Sequence, residues 1–239
     1  MRVAALADIH GNADALRAVM ADLAGFAPDL VVNLGDCLSG PCFAGETADL
    51  LVATGWPTVR GNHDRWLVEG PGEWEHYALP ELTPMHLNWV ATLPATLVVE
   101  ELFLCHACPQ DDLTYWLHGV ADGALTQAPL ARVAARAEGL GQSLLLCGHS
   151  HVAQAVRLPD GRLVVNPGAV GCPGYEDDHA PMHRVQAGTP HARYALLDRK
   201  GADWSVTFRM VPYDTGRVVA RARALGAQDW ANVLGTGWL

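Results

Sequence analysis

Residues 3–12 have the sequence VAALADIHGN, in which an apolar run ends in a cluster of polar side chains. The apolar part, Val3–Ala7, is typical of a buried strand, and Asn12–Leu23 has the periodicity of an amphipathic helix. Short apolar runs alternate with helical patterns along the chain, and this alternation predicts an α/β fold. Ligands bind such folds at the sheet edge where the strands end, so Asp8 and His10 are the first candidate site residues.

The same arrangement, an apolar run that leads directly into Asp, Asn or His, occurs four more times. The segments are Leu30–Leu34 before Asp36, Thr58–Val59 before Asn62, His63 and Asp64, Leu102–His106 with its terminal histidine, and Leu144–Cys147 before His149 and His151. A single histidine at a strand end is more often a structural residue than a ligand, and neither D-x-H nor G-D is specific alone. Five such segments in one chain indicate a common site.

The side chains brought together in this way would be carboxylates, imidazoles and an amide. This mixture of oxygen and nitrogen ligands suits zinc, iron, manganese or another first-row divalent metal. The ligands are too many for one tetrahedral ion, and they favour two ions that share a carboxylate. Asp8 and His10 are separated by one residue, as are His149 and His151, so in an extended chain each pair points to one side.

The remainder of the chain is expected to form a single domain, residues 1–239, because no Pro-, Ser- or Gly-rich linker divides it. Further helices are expected at Ala44–Thr54, within residues 65–93, at Leu125–Glu138 and at Thr215–Leu225, the last element. Further strands are expected at Thr96–Glu100, Val152–Leu158, Leu163–Val165, Tyr194–Asp198 and Ser205–Val211. Residues 172–192, rich in Pro, Gly, His and Asp, are expected to be a long irregular insertion.

The composition excludes several classes of protein. The 239 residues contain 16 Lys and Arg against 26 Asp and Glu, and the resulting charge of −10 disfavours stable binding to nucleic acid. No apolar run reaches the roughly 18 residues of a membrane span, and the first residues lack a signal-peptide pattern, so we expect a cytoplasmic protein with no membrane partner. The six cysteines should then be reduced, with the C-x-x-C at Cys105 and Cys108 buried rather than redox-active.

The ordered set D-x-H, G-D, G-N-H-D, H and G-H-x-H resembles the signature of the calcineurin-like metallophosphoesterase superfamily. The segment NPGAVG at residues 166–171, followed by the strand at Tyr194–Asp198, is similar to the small bacterial and archaeal phosphodiesterase branch of that superfamily. The resemblance covers residues 1–215. It implies the metallo-dependent phosphatase fold, a four-layer α/β/β/α sandwich in which two mixed β-sheets pack together with helices outside.

The resemblance also implies a role for each residue of the set. Asp8, His10 and His151 would hold one divalent ion, Asn62, His106 and His149 would hold a second, and Asp36 would bridge both. The ions would be Mn, Fe, Zn or Ni. His63 would lie beside them and assist the leaving group. Asp64 is a candidate to orient His63, although a solvated surface carboxylate is an equally good account of Asp64.

Such a protein would be a binuclear-metal-dependent hydrolase of small phosphate esters. We expect a phosphodiesterase in which hydroxide, formed near neutral pH between the two ions, attacks phosphorus. A phosphomonoesterase, acting on a protein or a nucleotide, is the alternative, and a non-catalytic metal-bearing scaffold is a third. The chain departs from the family at Ala107, where Gly is common, and it lacks an Arg soon after Gly171. A positive substrate contact could instead come from Arg60, Arg65, Arg184 or Arg193.

Two further groups of residues have competing accounts. His179, His183 and His191 lie in the expected insertion, where a solvated loop is a commoner setting than a third metal site. Tyr115 and Trp116 follow His106 and could stack on a nucleoside, but packing under a helix is the commoner use of such residues.

Overall fold

The structure, a computed structural model, describes residues 1–177 and 180–239. Its strands are β1 (Arg2–Leu6), β2 (Leu30–Asn33), β3 (Thr96–Val99), β4 (Leu102–Cys105), β5 (His118–Ala121), β6 (Ala124–Gln127), β7 (Leu144–Leu146), β8 (Gln154–Arg157), β9 (Leu163–Asn166), β10 (Gly174–Asp177), β11 (His183–Gln186), β12 (Ala192–Lys200) and β13 (Asp203–Val211). Its α-helices are α1 (Ala13–Ala24), α2 (Ala44–Thr54), α3 (Asn62–Glu69), α4 (Glu73–Ala78), α5 (Pro84–Thr92), α6 (Leu130–Arg136), α7 (Gly216–Ala224) and α8 (Gln228–Thr236). A short 3-10 helix, Leu79–Glu81, follows α4.

Two mixed sheets form the centre of the fold. The first has the strand order β13-β12-β1-β2, and the second has the order β3-β4-β7-β9-β8. In the first sheet β1 and β2 run parallel. In the second sheet β4, β7 and β9 run parallel, with antiparallel strands at both edges. The parallel strands therefore end at a common edge of each sheet.

Strand β1 accounts for the layering, because its alternate side chains point to opposite faces. Val3 and Ala5 pack between the two sheets in a core with Leu104 of β4. Ala4 and Leu6 pack on the other face in a core with helices α1 and α2. A third core, around Trp116, covers the outer face of the second sheet with α6. The predicted four-layer sandwich is confirmed.

A third sheet, not predicted from the sequence, has the order β10-β11-β6-β5. The expectation of an irregular insertion at 172–192 is wrong, because β10 and β11 lie within it. The signal was present in β11, where His183 and Val185 are buried and their neighbours are exposed. Another signal was Asp122-Gly123, a two-residue turn with positive φ at both positions that joins β5 to β6.

Other elements differ from the predictions for local reasons. The helix expected at Leu125–Glu138 is replaced by β6 and the shorter α6, since Pro129 holds the preceding residue out of helical conformation and so begins a new element. The strand expected at Thr58–Val59 is a single bridge between Asn33 and Thr58. Helix α8 follows α7, so Thr215–Leu225 does not contain the last element. Within residues 1–177 and 180–239, no helix has the length and apolar character needed to cross a membrane.

Candidate metal centre

The polar segments that follow β1, β2 and β7 are joined by hydrogen bonds at one edge of the sandwich. The backbone N–H groups of Ile9 and His10 both donate to the carbonyl oxygen of Asp36, at 2.9 Å each. Across the two sheets, the backbone N–H of His149 donates to the Asp8 carboxylate at 3.2 Å. Ends of strands that are distant in sequence therefore converge on one place.

The backbone of this edge is held in an uncommon conformation. Five of the seven candidate ligands have positive φ: Asp8 (55°), His10 (49°), Asp36 (53°), His149 (68°) and His151 (58°). Residues other than glycine rarely adopt this region, and such strain persists where the surrounding structure over-determines it, often at functional sites. The strain is independent support for a site at these residues.

One group of ligand atoms gathers around His10. Its Nε2 lies 3.3 Å from Nε2 of His151 and 3.8 Å from Oδ2 of Asp36. Nε2 of His151 lies 3.5 Å from Oδ1 of Asp8. One ligand atom each from Asp8, His10 and Asp36 lies within 4.8 Å of the others, the spacing of a possible metal site.

A second group shares Asp36 with the first. One ligand atom each from Asp36, His106 and His149 lies within 4.8 Å of the others. Nε2 of His106 lies 3.2 Å from Oδ2 of Asp36. The Asp36 carboxylate is thus common to both groups.

Three atoms of the predicted set fit a bound cation because they are buried and unpaired. Oδ2 of Asp8, Oδ1 of Asn62 and Nε2 of His106 have no hydrogen-bond partner among the residues described. Leaving a buried acceptor without a partner costs roughly 1–3 kcal/mol, and more for a charged group. Metal ions bound at the two groups would satisfy all three.

Backbone carbonyl groups set the orientation of three of the candidate histidines. Nδ1 contacts the carbonyl oxygen of Ser39 in His10 (3.3 Å), of Leu34 in His106 (2.7 Å) and of Cys172 in His151 (2.8 Å). Because a carbonyl oxygen only accepts, Nδ1 carries a hydrogen in each ring, and Nε2 is the nitrogen directed at the centre.

His149 is oriented the other way. Its Nε2 contacts the carbonyl oxygen of Leu113 at 2.9 Å, so Nδ1 is the nitrogen available to a metal. Burial lowers the pKa of His149 to about 4 and that of His10 to about 3, and it holds the pKa of His151 well below its usual value. All three imidazoles are therefore neutral at pH 7, the form that binds a metal.

The pKa values of the two candidate carboxylate ligands, Asp36 and Asp8, are shifted in opposite directions. Burial alone would raise the pKa of Asp36, but the charges of His106 and His63 outweigh it and hold that pKa well below its usual value. Burial raises the pKa of Asp8 to about 8, and the neighbouring Asp36 adds to this effect. Asp8 is a buried carboxyl group that a nearby cation would stabilise in its charged form.

His63 lies beside the two groups rather than in them. Its backbone N–H donates to Oδ1 of Asp36 at 2.9 Å, and its ring stacks on Trp74 at 4.7 Å between centroids, with 6° between the planes. Nδ1 of His63 lies 2.6 Å from Oε1 of Glu75, which is buried. The sequence analysis did not identify Trp74 or Glu75 as site residues. The signal that could have pointed to them is the run of acidic and aromatic residues at the start of α4.

Asp64 neither orients His63 nor lies at the surface, so both expectations for this residue are wrong. Its carboxylate is fully buried and accepts the backbone N–H groups of Asp36 (2.8 Å), Cys37 (2.9 Å) and Gly61 (3.0 Å). These bonds join the turn that carries Asp36 to the start of α3, where Asn62 lies. Asp64 therefore shapes the centre through the backbone, and the carboxylate beside His63 is that of Glu75.

The candidate arginines already have partners. Arg65 donates to both carboxylate oxygens of Asp112 (2.7 and 3.0 Å). Arg60 lies 3.7 Å from Glu69, and Arg184 forms an ion pair with Glu176. The guanidinium of Arg193 is directed to three backbone carbonyl groups, those of Ala187, Thr189 and His191.

The two aromatic residues after His106, Tyr115 and Trp116, pack in different places. Trp116 is buried and donates from Nε1 to the carbonyl of Val133 in α6, so it packs under a helix. Tyr115 instead lies against His149, with 4.9 Å between ring centroids. Its hydroxyl contacts Nε2 of His183 at 2.9 Å. His179, named with His183 in the sequence analysis, lies outside the described residues.

Comparison with known proteins places this arrangement in a family. Residues 1–188 match the calcineurin-like phosphoesterase superfamily domain. Among solved structures, a metallophosphoesterase from Sphaerobacter thermophilus is 23% identical, with TM-score 0.76 and coverage of 99% of this chain and 100% of that chain. A hypothetical protein from Pyrococcus horikoshii OT3 is 20% identical, with TM-score 0.76 and coverage of 99% and 98%. A search of curated proteins found no match.

At these identities the structural likeness concerns the fold alone, whereas the family match covers most of the sequence and includes every candidate ligand. This chain belongs to the calcineurin-like phosphoesterase superfamily.

Proposed function

We propose that this chain is a phosphodiesterase that holds two divalent transition-metal ions, Mn, Fe, Zn or Ni, and acts on a small phosphate ester. The observation that carries the proposal is the position of Asp36, whose carboxylate belongs to both ligand groups. A shared carboxylate suits a pair of ions roughly 3.5–4 Å apart, the spacing of two-metal hydrolytic sites.

In this proposal Asp8, His10 and His151 would hold one ion, Asn62, His106 and His149 would hold the other, and Asp36 would serve both. The ions would supply positive charge that activates water and stabilises the phosphoryl oxygens. The carbonyl groups that fix each imidazole keep the ligand nitrogens directed inward.

His63 is the proposed proton donor to the leaving group. Glu75 accepts at Nδ1 of His63, at 2.6 Å. A carboxylate in this position stabilises the imidazolium form, in which Nε2 also carries a proton. That proton can pass to the ester oxygen as its bond to phosphorus breaks. The stacked ring of Trp74 limits the imidazole to one orientation during the transfer.

The charges around the centre favour a diester over a monoester. A monoester dianion carries one more negative charge than a diester monoanion, and arginine is the side chain best suited to bind it. Arg65 and Arg184 are each paired with a carboxylate, and the Arg193 guanidinium is directed to backbone carbonyl groups. Each is therefore engaged elsewhere.

The test compares two esters that release the same product. Protein loaded in turn with Mn, Fe, Zn or Ni is assayed on bis(4-nitrophenyl) phosphate and on 4-nitrophenyl phosphate, with metal content measured on each sample. The proposal expects a higher kcat/KM for the diester. A preference for the monoester would indicate a phosphatase, and full metal occupancy with no hydrolysis of either ester would indicate a non-catalytic protein.

A further inference from the structure

Three side chains from outside the ligand set lie together against the centre. Tyr115 follows β4, Tyr175 belongs to β10 and His183 belongs to β11. The hydroxyl of Tyr115 lies 2.7 Å from that of Tyr175 and 2.9 Å from Nε2 of His183. We refer to Tyr115, Tyr175 and His183 as the tyrosine wall.

The hydrogen bonds of the tyrosine wall have a defined direction. Nδ1 of His183 contacts the carbonyl oxygen of Pro181 at 2.9 Å, so this nitrogen carries the hydrogen. When the imidazole is neutral, Nε2 accepts a hydrogen bond that the Tyr115 hydroxyl donates. The Tyr115 oxygen in turn accepts from Tyr175. Both phenol protons are used within the wall, which fixes the positions of the two rings.

The wall contacts candidate ligands of both groups. The ring of Tyr115 lies 4.9 Å from that of His149, and the ring of Tyr175 lies 4.7 Å from that of His151. Both tyrosines are partly exposed, whereas His183 behind them is buried. Each tyrosine is therefore in contact with a candidate ligand while part of the residue stays accessible to solvent.

The tyrosine wall and His63 meet the centre at different residues. His63 contacts Asp36 through its backbone and His10 through its ring, at 5.3 Å between centroids. The tyrosines contact His149 and His151. A phosphodiester has two ester groups on one phosphorus. If one group leaves beside His63, the group that stays on phosphorus must contact a different part of the site.

The wall is suited to an uncharged group. The hydroxyl groups of Tyr115 and Tyr175 are already hydrogen-bonded within the wall, so the two residues offer ring faces and edges rather than charged or free polar groups. Aromatic rings bind planar apolar groups by stacking or edge contacts.

We propose that the tyrosine wall binds the ester group that phosphorus retains, and that it selects diesters in which this group is neutral and planar, such as an aryl or nucleoside ester. This inference rests on the proposed function, since it names the substrate class of the same site. It assigns the third sheet a role in specificity.

The experiment varies only the retained group. Methyl 4-nitrophenyl phosphate, phenyl 4-nitrophenyl phosphate and 4-nitrophenyl phosphate all release 4-nitrophenol, so the side of the site at His63 meets the same leaving group. For the wild-type enzyme we expect KM for the phenyl diester to be about twofold to tenfold lower than for the methyl diester, the range of a single aromatic contact. Equal KM values for the two diesters would overturn the inference.

Variants then test whether the ring of Tyr175 contacts the phenyl group of the diester. Tyr175→Leu keeps apolar volume but removes the ring, and it should bring KM for the phenyl diester up to that of the methyl diester while KM for the monoester changes less than about twofold. Phe208→Leu removes an exposed ring on β13 and is the matched control. An equal rise in KM for the monoester would contradict the inference. Tyr115→Leu, which removes the other ring of the wall, should have the same effect on KM for the phenyl diester and gives an independent variant if Tyr175→Leu fails to fold.

A binding measurement separates this inference from the proposed function. Calorimetry with metal-loaded wild-type protein compares diphenyl phosphate with dimethyl phosphate, both of which have poor leaving groups. Tighter binding of diphenyl phosphate, lost in Tyr175→Leu, would support the wall even if none of the nitrophenyl esters were hydrolysed. Absence of hydrolysis of all three esters would refute the proposed function alone, and equal binding of the two phosphates would refute the wall alone.

Discussion

The carboxylate of Glu75 lies 2.6 Å from Nδ1 of His63, and each of these residues is also anchored at a second point. The other carboxylate oxygen of Glu75 accepts the backbone N–H of Gly72 at 2.8 Å, at the start of α4. The backbone N–H of His63 donates to Asp36 at 2.9 Å. This relationship ties α4 to the candidate metal centre and leaves Nε2 as the nitrogen of His63 that is not engaged by Glu75.

Glu75→Gln should lower turnover without removing metal. The amide keeps the size of the side chain but loses the charge that stabilises the imidazolium. We therefore expect a loss of about tenfold or more, with the roughly 10²–10⁴-fold contribution of general acid catalysis as its upper bound. The loss should grow as the leaving group becomes more basic, which a series of substituted phenyl esters measures. Glu73→Gln, an exposed carboxylate on the same helix, is the control. A uniform loss across the series would argue against a role in proton donation.

His63→Ala should keep its metal content and lose most of its turnover. His63 lies beside the ligand groups, so its removal leaves Asp8, Asp36 and the other candidate ligands in place, while the proton donor is absent. We expect a fall in kcat of roughly 10²–10⁴-fold. Elemental analysis of the purified variant is the decisive measurement. Loss of metal from His63→Ala would mean that His63 is a ligand.

The convergence of the candidate ligands could be predicted from the sequence because each follows a short apolar run. Strands β4 and β7 are buried along their length, and β1 is buried from Val3 onward. The chain direction alone places Asp8, His106 and His149 beyond the ends of these strands. Each prediction needed only local sequence and the rule that parallel strands end at one edge.

Glu75 and the tyrosine wall could not be predicted in the same way. Glutamate is almost always exposed in helices, and the burial of Glu75 depends on how α4 packs over His63, a tertiary effect. Tyr175 and His183 belong to strands of four residues each, too short for periodicity to separate them from a loop. What places them at the centre is the pairing of β11 with β6, a contact between residues 60 positions apart in sequence at Ala124 and Arg184.

Asp36→Asn should reduce metal binding at both groups together. Asp36 contributes to each, and the amide offers one neutral oxygen in place of a shared carboxylate. We expect the metal content of the variant to fall by more than that of Asn62→Ala, which removes a candidate ligand of one group only. Elemental analysis after dialysis makes the comparison. If Asp36→Asn retained as much metal as Asn62→Ala, the two groups would not share a carboxylate.

Gly61→Ala should distort the centre by steric overlap alone. A Cβ at Gly61 would lie 2.8 Å from Cγ of Asp36 and overlap with its carboxylate oxygen, although the φ of Gly61 suits any residue. We expect a loss of about 1–3 kcal/mol in the free energy of unfolding, the usual cost of overpacking, and a lower metal content. Gly141→Ala, where the described structure has no atom within 4 Å of the added Cβ, is the control. Identical thermal unfolding of the two variants would contradict the close contact.

Asp22 should make a pH-dependent contribution to stability. Its carboxylate accepts from the hydroxyl of Tyr194 (2.6 Å) and from Nη2 of Arg209 (2.8 Å), which joins α1 to β12 and β13. Arg209 holds the pKa of Asp22 below its usual value. The stabilisation is therefore complete above the unfolded-state pKa of about 3.9 and is lost as pH falls through the lower, folded-state pKa.

Asp22→Asn tests this sign directly. At pH 7 the variant should be less stable than the wild type by roughly 1 kcal/mol, the scale of a partly exposed ion pair with one added hydrogen bond. The difference should shrink as pH falls below about 4, because the wild-type carboxyl is then protonated as well. Urea unfolding of both proteins between pH 7 and the acid limit of folding measures it. A difference that stayed constant with pH would show that the charge of Asp22 contributes nothing and that only its hydrogen-bonding shape matters.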